Sequence, residues 1–219
     1  MTAHANHPSR AVSAPGDQAS AARSTYWVQR FTASERAVHW LLALAFFSML
    51  LSGLVVGRRG TFHQIMYAWH LASAGLLVGG VALIALAGDR RALRRSSREL
   101  RRLSSEDREW LRAAPAHLLA GAPEPEAARF NGGQKLNFVL VCLLLGALYL
   151  SGVDTIAFGT HHNLVFAVHK LATISLGVLV AGHLYMALVN PATRHALHGI
   201  LSGKVDREWA RRHYPRWDP

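Results

Sequence analysis

Apolar positions along the chain gather into four long runs set apart by polar segments. The first run extends from Ala37 to Gly57, bounded by Arg36 and Arg58. The second runs roughly from Ile65 to Ala87 and stops before Asp89. The third, Leu136 to Val153, lies between Lys135 and Asp154. The fourth is AVHKLATISLGVLVAGHLYMALVNP (167–191), closed by Asn190-Pro191. A helix needs about 20 mostly apolar residues to cross the hydrocarbon of a bilayer, and all four runs come close to that length. Thr32 and Glu35 in FTASER have the spacing of a capping box, so the first helix is expected to begin before its apolar run does. The pattern predicts an all-α membrane protein, a bundle of four transmembrane helices.

Charge orients the bundle. The chain carries a formal charge of +11, which might suggest nucleic acid, but its basic residues lie almost wholly between the apolar runs. Segment 89–135 holds ten arginines and Lys135, and the C-terminal segment adds Arg194, Lys204, Arg207, Arg211, Arg212 and Arg216. Of the other two loops, 58–64 has Arg58 and Arg59, and 154–163 has neither Lys nor Arg. Because basic loops stay on the cytoplasmic side, both termini and the long middle loop are expected there. Nucleic acid is set aside as a partner, and membrane lipid replaces it.

Residues 1–30 are rich in Ala, Ser and Pro without an apolar stretch, and read as a disordered cytoplasmic tail rather than a signal peptide. Residues 31–190 form the membrane domain, with loop 89–135 a solvated, partly helical connector that also has some attraction for anionic headgroups. Residues 191–219 are a cytoplasmic C-terminal tail. The single cysteine, Cys142, excludes an intramolecular disulfide and a cysteine-only metal site. No internal repeat stands out, and no GxGxxG or Walker pattern occurs.

Among the thirteen histidines, four lie within the spans. An intramembrane histidine is costly and needs a partner. His39 stands near the inner end of the first helix and His183 toward the inner end of the fourth. His70 stands near the outer end of the second helix and His169 near the outer end of the fourth. Fourteen residues of helix rise about 21 Å and turn about 1400°, some 40° short of four full turns. His169 and His183 therefore project from nearly one face, one toward each membrane surface. Two flat cofactors, each held between two imidazoles in one half of the bundle, would suit this arrangement, and bis-histidine haem fits it. Gly53, fourteen residues after His39, would leave room for a ring, and Gly75, Gly79 and Gly80 would do likewise or serve plain helix packing. His63, His161 and His162 read as surface residues of the outer loops, and His117, His195, His198 and His213 as solvated cytoplasmic ones.

Four stretches, RFTASERAVHW, RFNGGQKLNF (129–138), HKLATISLGVLVAGHLYMAL and GKVDREWARRHYPRW, together resemble the cytochrome b (gamma) subunit of respiratory formate dehydrogenase. The resemblance covers roughly residues 26–219. It implies four membrane helices and two haem b groups, with His39 and His183 ligating the inner haem and His70 and His169 the outer one. It implies an iron–sulfur beta subunit and a molybdenum or tungsten pterin alpha subunit as partners, in the bacterial cytoplasmic (inner) membrane. Electrons would pass through the haems to quinone, menaquinone or ubiquinone, with protons taken from the cytoplasm. The family's Asn-x-Gly-Gln quinone motif falls on Asn131, Gly133 and Gln134, with Gly132 between. A hydrogen-bond donor is what a quinone carbonyl requires, and glycines would let backbone and headgroup approach closely. Asn131-Gly132-Gly133 read without the resemblance is an ordinary turn before a helix. Two alternatives stay open: the cytochrome b subunit of a nickel–iron hydrogenase or other molybdenum oxidoreductase, and a haem-free transporter with histidine relays.

Overall fold

The computed structural model describes residues 26–56, 61–120, 122–158 and 163–218. Four helices in it are long and apolar enough to cross a membrane. They are α1 (Ala33–Val56), α2 (Thr61–Ala87), α5 (Gly132–Phe158) and α6 (Asn163–Leu184), the last continued by a π-helical turn over Tyr185–Val189. Between α2 and α5 lie two shorter helices, α3 (Arg90–Arg101) and α4 (Ser105–Leu119), where a partly helical connector was expected.

The polar residues flanking each apolar run set where its helix starts. The Thr32 amide donates to Glu35 Oε2 at 2.6 Å, and the Glu35 amide to Thr32 Oγ1 at 3.4 Å. This reciprocal cap starts α1 ahead of its apolar run, as the FTASER spacing predicts. Helix α4 begins on a second capping box, Ser104 with Asp107. Helix α5 begins on a third. Asn131 Oδ1 accepts from the Gln134 amide at 2.9 Å, and Gln134 Oε1 from the Asn131 amide at 3.1 Å.

The spans pair as two hairpins, α1 on α2 and α5 on α6, while the backbones of the two hairpins scarcely approach each other. Within the first hairpin Ser48 Oγ lies 2.8 Å from Ser73 Oγ and accepts from Trp69 Nε1 at 2.8 Å. Such hydrogen bonds hold helices together where lipid supplies no hydrophobic drive. Gly80 is a packing glycine: a Cβ there would lie 2.6 Å from Leu41 Cδ2, so it leaves no room for a ring. Gly75 and Gly79 face open space instead, with nothing within 4 Å of such a Cβ.

The polar segments fold into a cap on one end of the bundle. Strand β1 (Trp27–Gln29) pairs antiparallel with β2 (Lys204–Asp206), Val28 opposite Val205. Asp206 then caps α8 (Arg207–His213), accepting from the Trp209 amide at 2.7 Å. A short helix, α7 (Leu197–Ser202), leads into β2 through Gly203 at φ 87°, a left-handed turn that favours glycine. Val28, Ala127, Val205, Trp209, Ala210 and Tyr214 form the core of this cap. The expected disordered tail 1–30 is thus corrected at its end: residues 27–29 are held as a strand because 204–206 supply the hydrogen-bonding edge. Residues 1–25 lie outside the described residues.

Two buried arginines tie the cap to the bundle. Arg129 donates to Ser96 Oγ at 2.7 Å, Glu99 Oε2 at 3.1 Å, Glu35 Oε1 at 2.8 Å and the Arg30 carbonyl at 2.6 Å. Ser96 Oγ in turn donates to Glu35 Oε1. Arg30 donates back to the Arg129 carbonyl at 3.0 Å and lies 4.0 Å over the Tyr214 ring. A further buried pair, Lys135 Nζ and Asp107 Oδ2 at 2.5 Å, fastens α4 to α5. The segments before α1, between α2 and α5, and after α6 therefore meet on one side, as an even number of crossings requires.

Candidate functional site

The four intramembrane histidines meet as two pairs across the gap between the hairpins. The His39 and His183 rings are 6.1 Å apart between centroids and inclined at 55°. Those of His70 and His169 are 6.3 Å apart, also at 55°. These are the pairs expected from depth in the membrane. A metal–imidazole bond is about 2 Å and a ring centre lies about 1 Å behind its nitrogen, so one ion between two rings sets the centroids about 6 Å apart. The centroid separations of both pairs match that spacing. Among the described residues no group of three or more His, Cys, Asp or Glu could hold a bare metal ion. Paired imidazoles suit an ion that brings its remaining ligands with it, as the iron of haem does.

Sequence reasoning missed the groups behind the outer pair. Ser52 Oγ is 3.0 Å from His70 Nδ1, and Ser151 Oγ is 2.9 Å from His169 Nδ1. Each hydroxyl also donates within its own helix, Ser52 to the Ser48 carbonyl at 2.9 Å and Ser151 to the Ala147 carbonyl at 2.7 Å. With its one hydrogen so used, the serine oxygen is left to accept from Nδ1–H. That tautomer frees Nε2 as the lone-pair donor a metal needs.

These serines expose an internal repeat. Leu51-Ser52-Gly53 on α1 and Leu150-Ser151-Gly152 on α5 each place serine eighteen residues before the outer histidine of the same hairpin. In both, the glycine lies beside that ring: a Cβ on Gly53 would be 3.6 Å from His70 Cε1, and one on Gly152 3.9 Å from His169 Cε1. The earlier reading that no repeat stands out is corrected here. The match is three residues and a distant histidine, too sparse to register as self-similarity. At the inner tier the repeat fails, with Ile84 where His183 would be echoed and Phe138 where His39 would be. Among the described residues neither the His39 nor the His183 imidazole makes a hydrogen bond, and His39 Nδ1 is buried.

The NGGQ motif (131–134) is shaped by its neighbours. A Cβ on Gly132 would lie 2.6 Å from the Asp107 carbonyl, and one on Gly133 2.7 Å from the Trp110 ring. Both glycines lie against α4. Gly132→Val should therefore destabilise the junction of α4 and α5, because the clash is with backbone that cannot swing aside. Limited proteolysis within 102–130 should accelerate. Asn131 Nδ2 donates to Glu124 Oε1 at 3.1 Å, and Trp110 Nε1 donates to the same oxygen at 2.8 Å. The Gln134 side-chain Nε2 makes no hydrogen bond among the described residues.

Of the remaining histidines, His161 and His162 lie outside the described residues, and His63 falls in α2 against Tyr67. His198 and His213 stack on Trp27 and Trp209. His117 is not solvated as expected: both ring nitrogens are buried, with the ring centroid 4.6 Å from that of Trp110.

The sequence model of the prokaryotic cytochrome b561 family matches residues 30–203, from the strap before α1 to the turn before β2. The chain belongs to this family. Membership makes it a haem b protein and a multi-pass protein of the bacterial inner membrane, and the haem-free transporter alternative falls away. The chain is similar to the formate dehydrogenase cytochrome b556(fdo) subunit of Escherichia coli K12. The two are 27% identical over 201 residues, covering 87% of this chain and 91% of that one. It is also similar to the cytochrome b556(Fdn) subunit of the nitrate-inducible formate dehydrogenase of the same strain, 29% identical over 101 residues, 42% and 44% of the two chains.

Proposed function

We propose that this cytochrome b is the membrane subunit of a formate dehydrogenase complex, holding two haem b groups and delivering electrons to quinone. The observation that carries the reading is the pairing of four membrane histidines in two tiers across the gap between hairpins. The likeness to formate dehydrogenase cytochrome subunits, over nearly the whole length of one of them, supports the choice of complex. When bound, haem supplies reversible one-electron carriage.

The residues divide the work by depth. His70 and His169 hold the outer group, and His39 and His183 the inner one. On this reading an iron–sulfur subunit feeds the outer tier, drawing on a subunit that oxidises formate at a molybdenum or tungsten pterin. On this reading the arginine-rich cap, and with it both termini, lies in the cytoplasm. Quinone reduction takes two electrons and two protons, and a site at the cap end draws those protons from the cytoplasm. Asn131, Gly133 and Gln134 form the quinone site, where the unengaged side-chain Nε2 of Gln134 is a donor for one carbonyl and Glu124 orients Asn131.

In the intact complex, formate should reduce the haem of this chain, and added quinone should reoxidise it. In Asn131→Leu/Gln134→Leu, formate-driven reduction should stay fast while reoxidation slows by roughly 10²-fold, the effect of losing a positioned donor. Unchanged reoxidation would return these residues to helix capping alone. A complex that formate cannot reduce would sink the choice of donor.

A further inference from the structure

The two tiers differ in what stands behind the imidazoles, and this difference has an electrochemical meaning. At the outer tier each Nδ1–H meets a serine oxygen, Ser52 for His70 and Ser151 for His169. Both serines are buried, 2% and 6% exposed, and both are pinned by their own helix carbonyls. At the inner tier neither imidazole has a hydrogen-bond acceptor among the described residues.

An acceptor on the far nitrogen makes an imidazole a more basic ligand. A more basic ligand favours Fe(III) over Fe(II), which lowers the reduction potential of the iron it holds. Building on the haem reading above, we infer that Ser52 and Ser151 are positioning residues that make the outer tier the lower-potential site. The inner tier, without such partners, is then the higher. The gradient runs downhill for electrons from the outer surface toward the cap. The same hydroxyls lock the tautomer and ring orientation, so the outer pair is preorganised before any group binds.

The test is a spectroelectrochemical titration of the purified complex, comparing wild type with Ser52→Ala, Ser151→Ala and the double variant. Wild type should titrate in two one-electron steps, and His70→Ala should remove the lower one. In the alanine variants the lower midpoint should rise while the higher stays, with about 59 mV for each tenfold loss in preference for the ferric state. Ser52→Thr and Ser151→Thr, which keep the hydroxyl, should restore the wild-type value. The low-spin ferric signal of the outer group should shift with the midpoint in electron paramagnetic resonance. Two retained haems with an unmoved lower midpoint would overturn the inference, as would finding that His39→Ala removes the lower step. Should His70→Ala leave both steps intact, the ligand assignment itself would fail, a result separable from the role of the serines.

Discussion

His39→Ala and His183→Ala are expected to lose the same haem, while His70→Ala and His169→Ala lose the other. Each histidine faces one partner across the gap, with centroids 6.1 Å apart in one pair and 6.3 Å in the other. Removing either ring leaves a single axial ligand. Haem quantification should fall from two to one per chain in every single variant. The double variant His39→Ala/His183→Ala should fall no further than either single, because both changes act on one site. His39→Ala/His169→Ala should lose both. Reduced-minus-oxidised spectra would report the result directly, and a His39→Ala/His169→Ala double variant that retained one haem would disprove the pairing.

Arg129→Ala is expected to produce the largest loss of stability of any single change in the cap. Arg129 and Glu35 have side chains 6% and 7% exposed and meet at 2.8 Å, and the guanidinium also satisfies the Arg30 carbonyl, Ser96 and Glu99. Removing one partner of a buried pair strands the other charge, at a cost of about 3–5 kcal/mol. Glu35 also caps α1, so the loss extends into the first span. Heat-induced loss of the haem Soret band should move to lower temperature. Arg129→Met with Glu35→Gln should lie closer to wild type than Arg129→Ala alone, since no buried carboxylate is then left unpaired. Equal melting of Arg129→Ala and wild type would show the network to be an onlooker.

Hydropathy revealed the middles of the spans, and depth alone revealed which histidines meet, because both depend on position along one chain. The capping pattern revealed where the first span starts. Helix α1 begins at Ala33, ahead of the apolar run at Ala37, because a polar capping box continues the helix past the hydrocarbon. Gly80 reads equally as room for a ring or as a packing residue, and Leu41 against it, which only tertiary structure reveals, decides for packing. Ser52 and Ser151 gave no signal by themselves, since a membrane serine bonded to its own helix carbonyl is ordinary. Their meaning comes from the imidazole on the neighbouring helix. The cap was hidden for a similar reason: three-residue strands and a buried Arg30–Arg129 exchange depend on segments far apart in the chain.

The pairing of Trp27 with Asp206 also fixes an order of assembly. A ribosome delivers β1 before any span and β2 after all of them, so the strand must wait for almost the entire polypeptide. Closing so long a loop is entropically slow, and its contacts repay that cost only once the spans are inserted. The cap is therefore the last part of the molecule to close. Until then the two hairpins are held by the middle segment and its Arg129–Glu35 pair, without the strands.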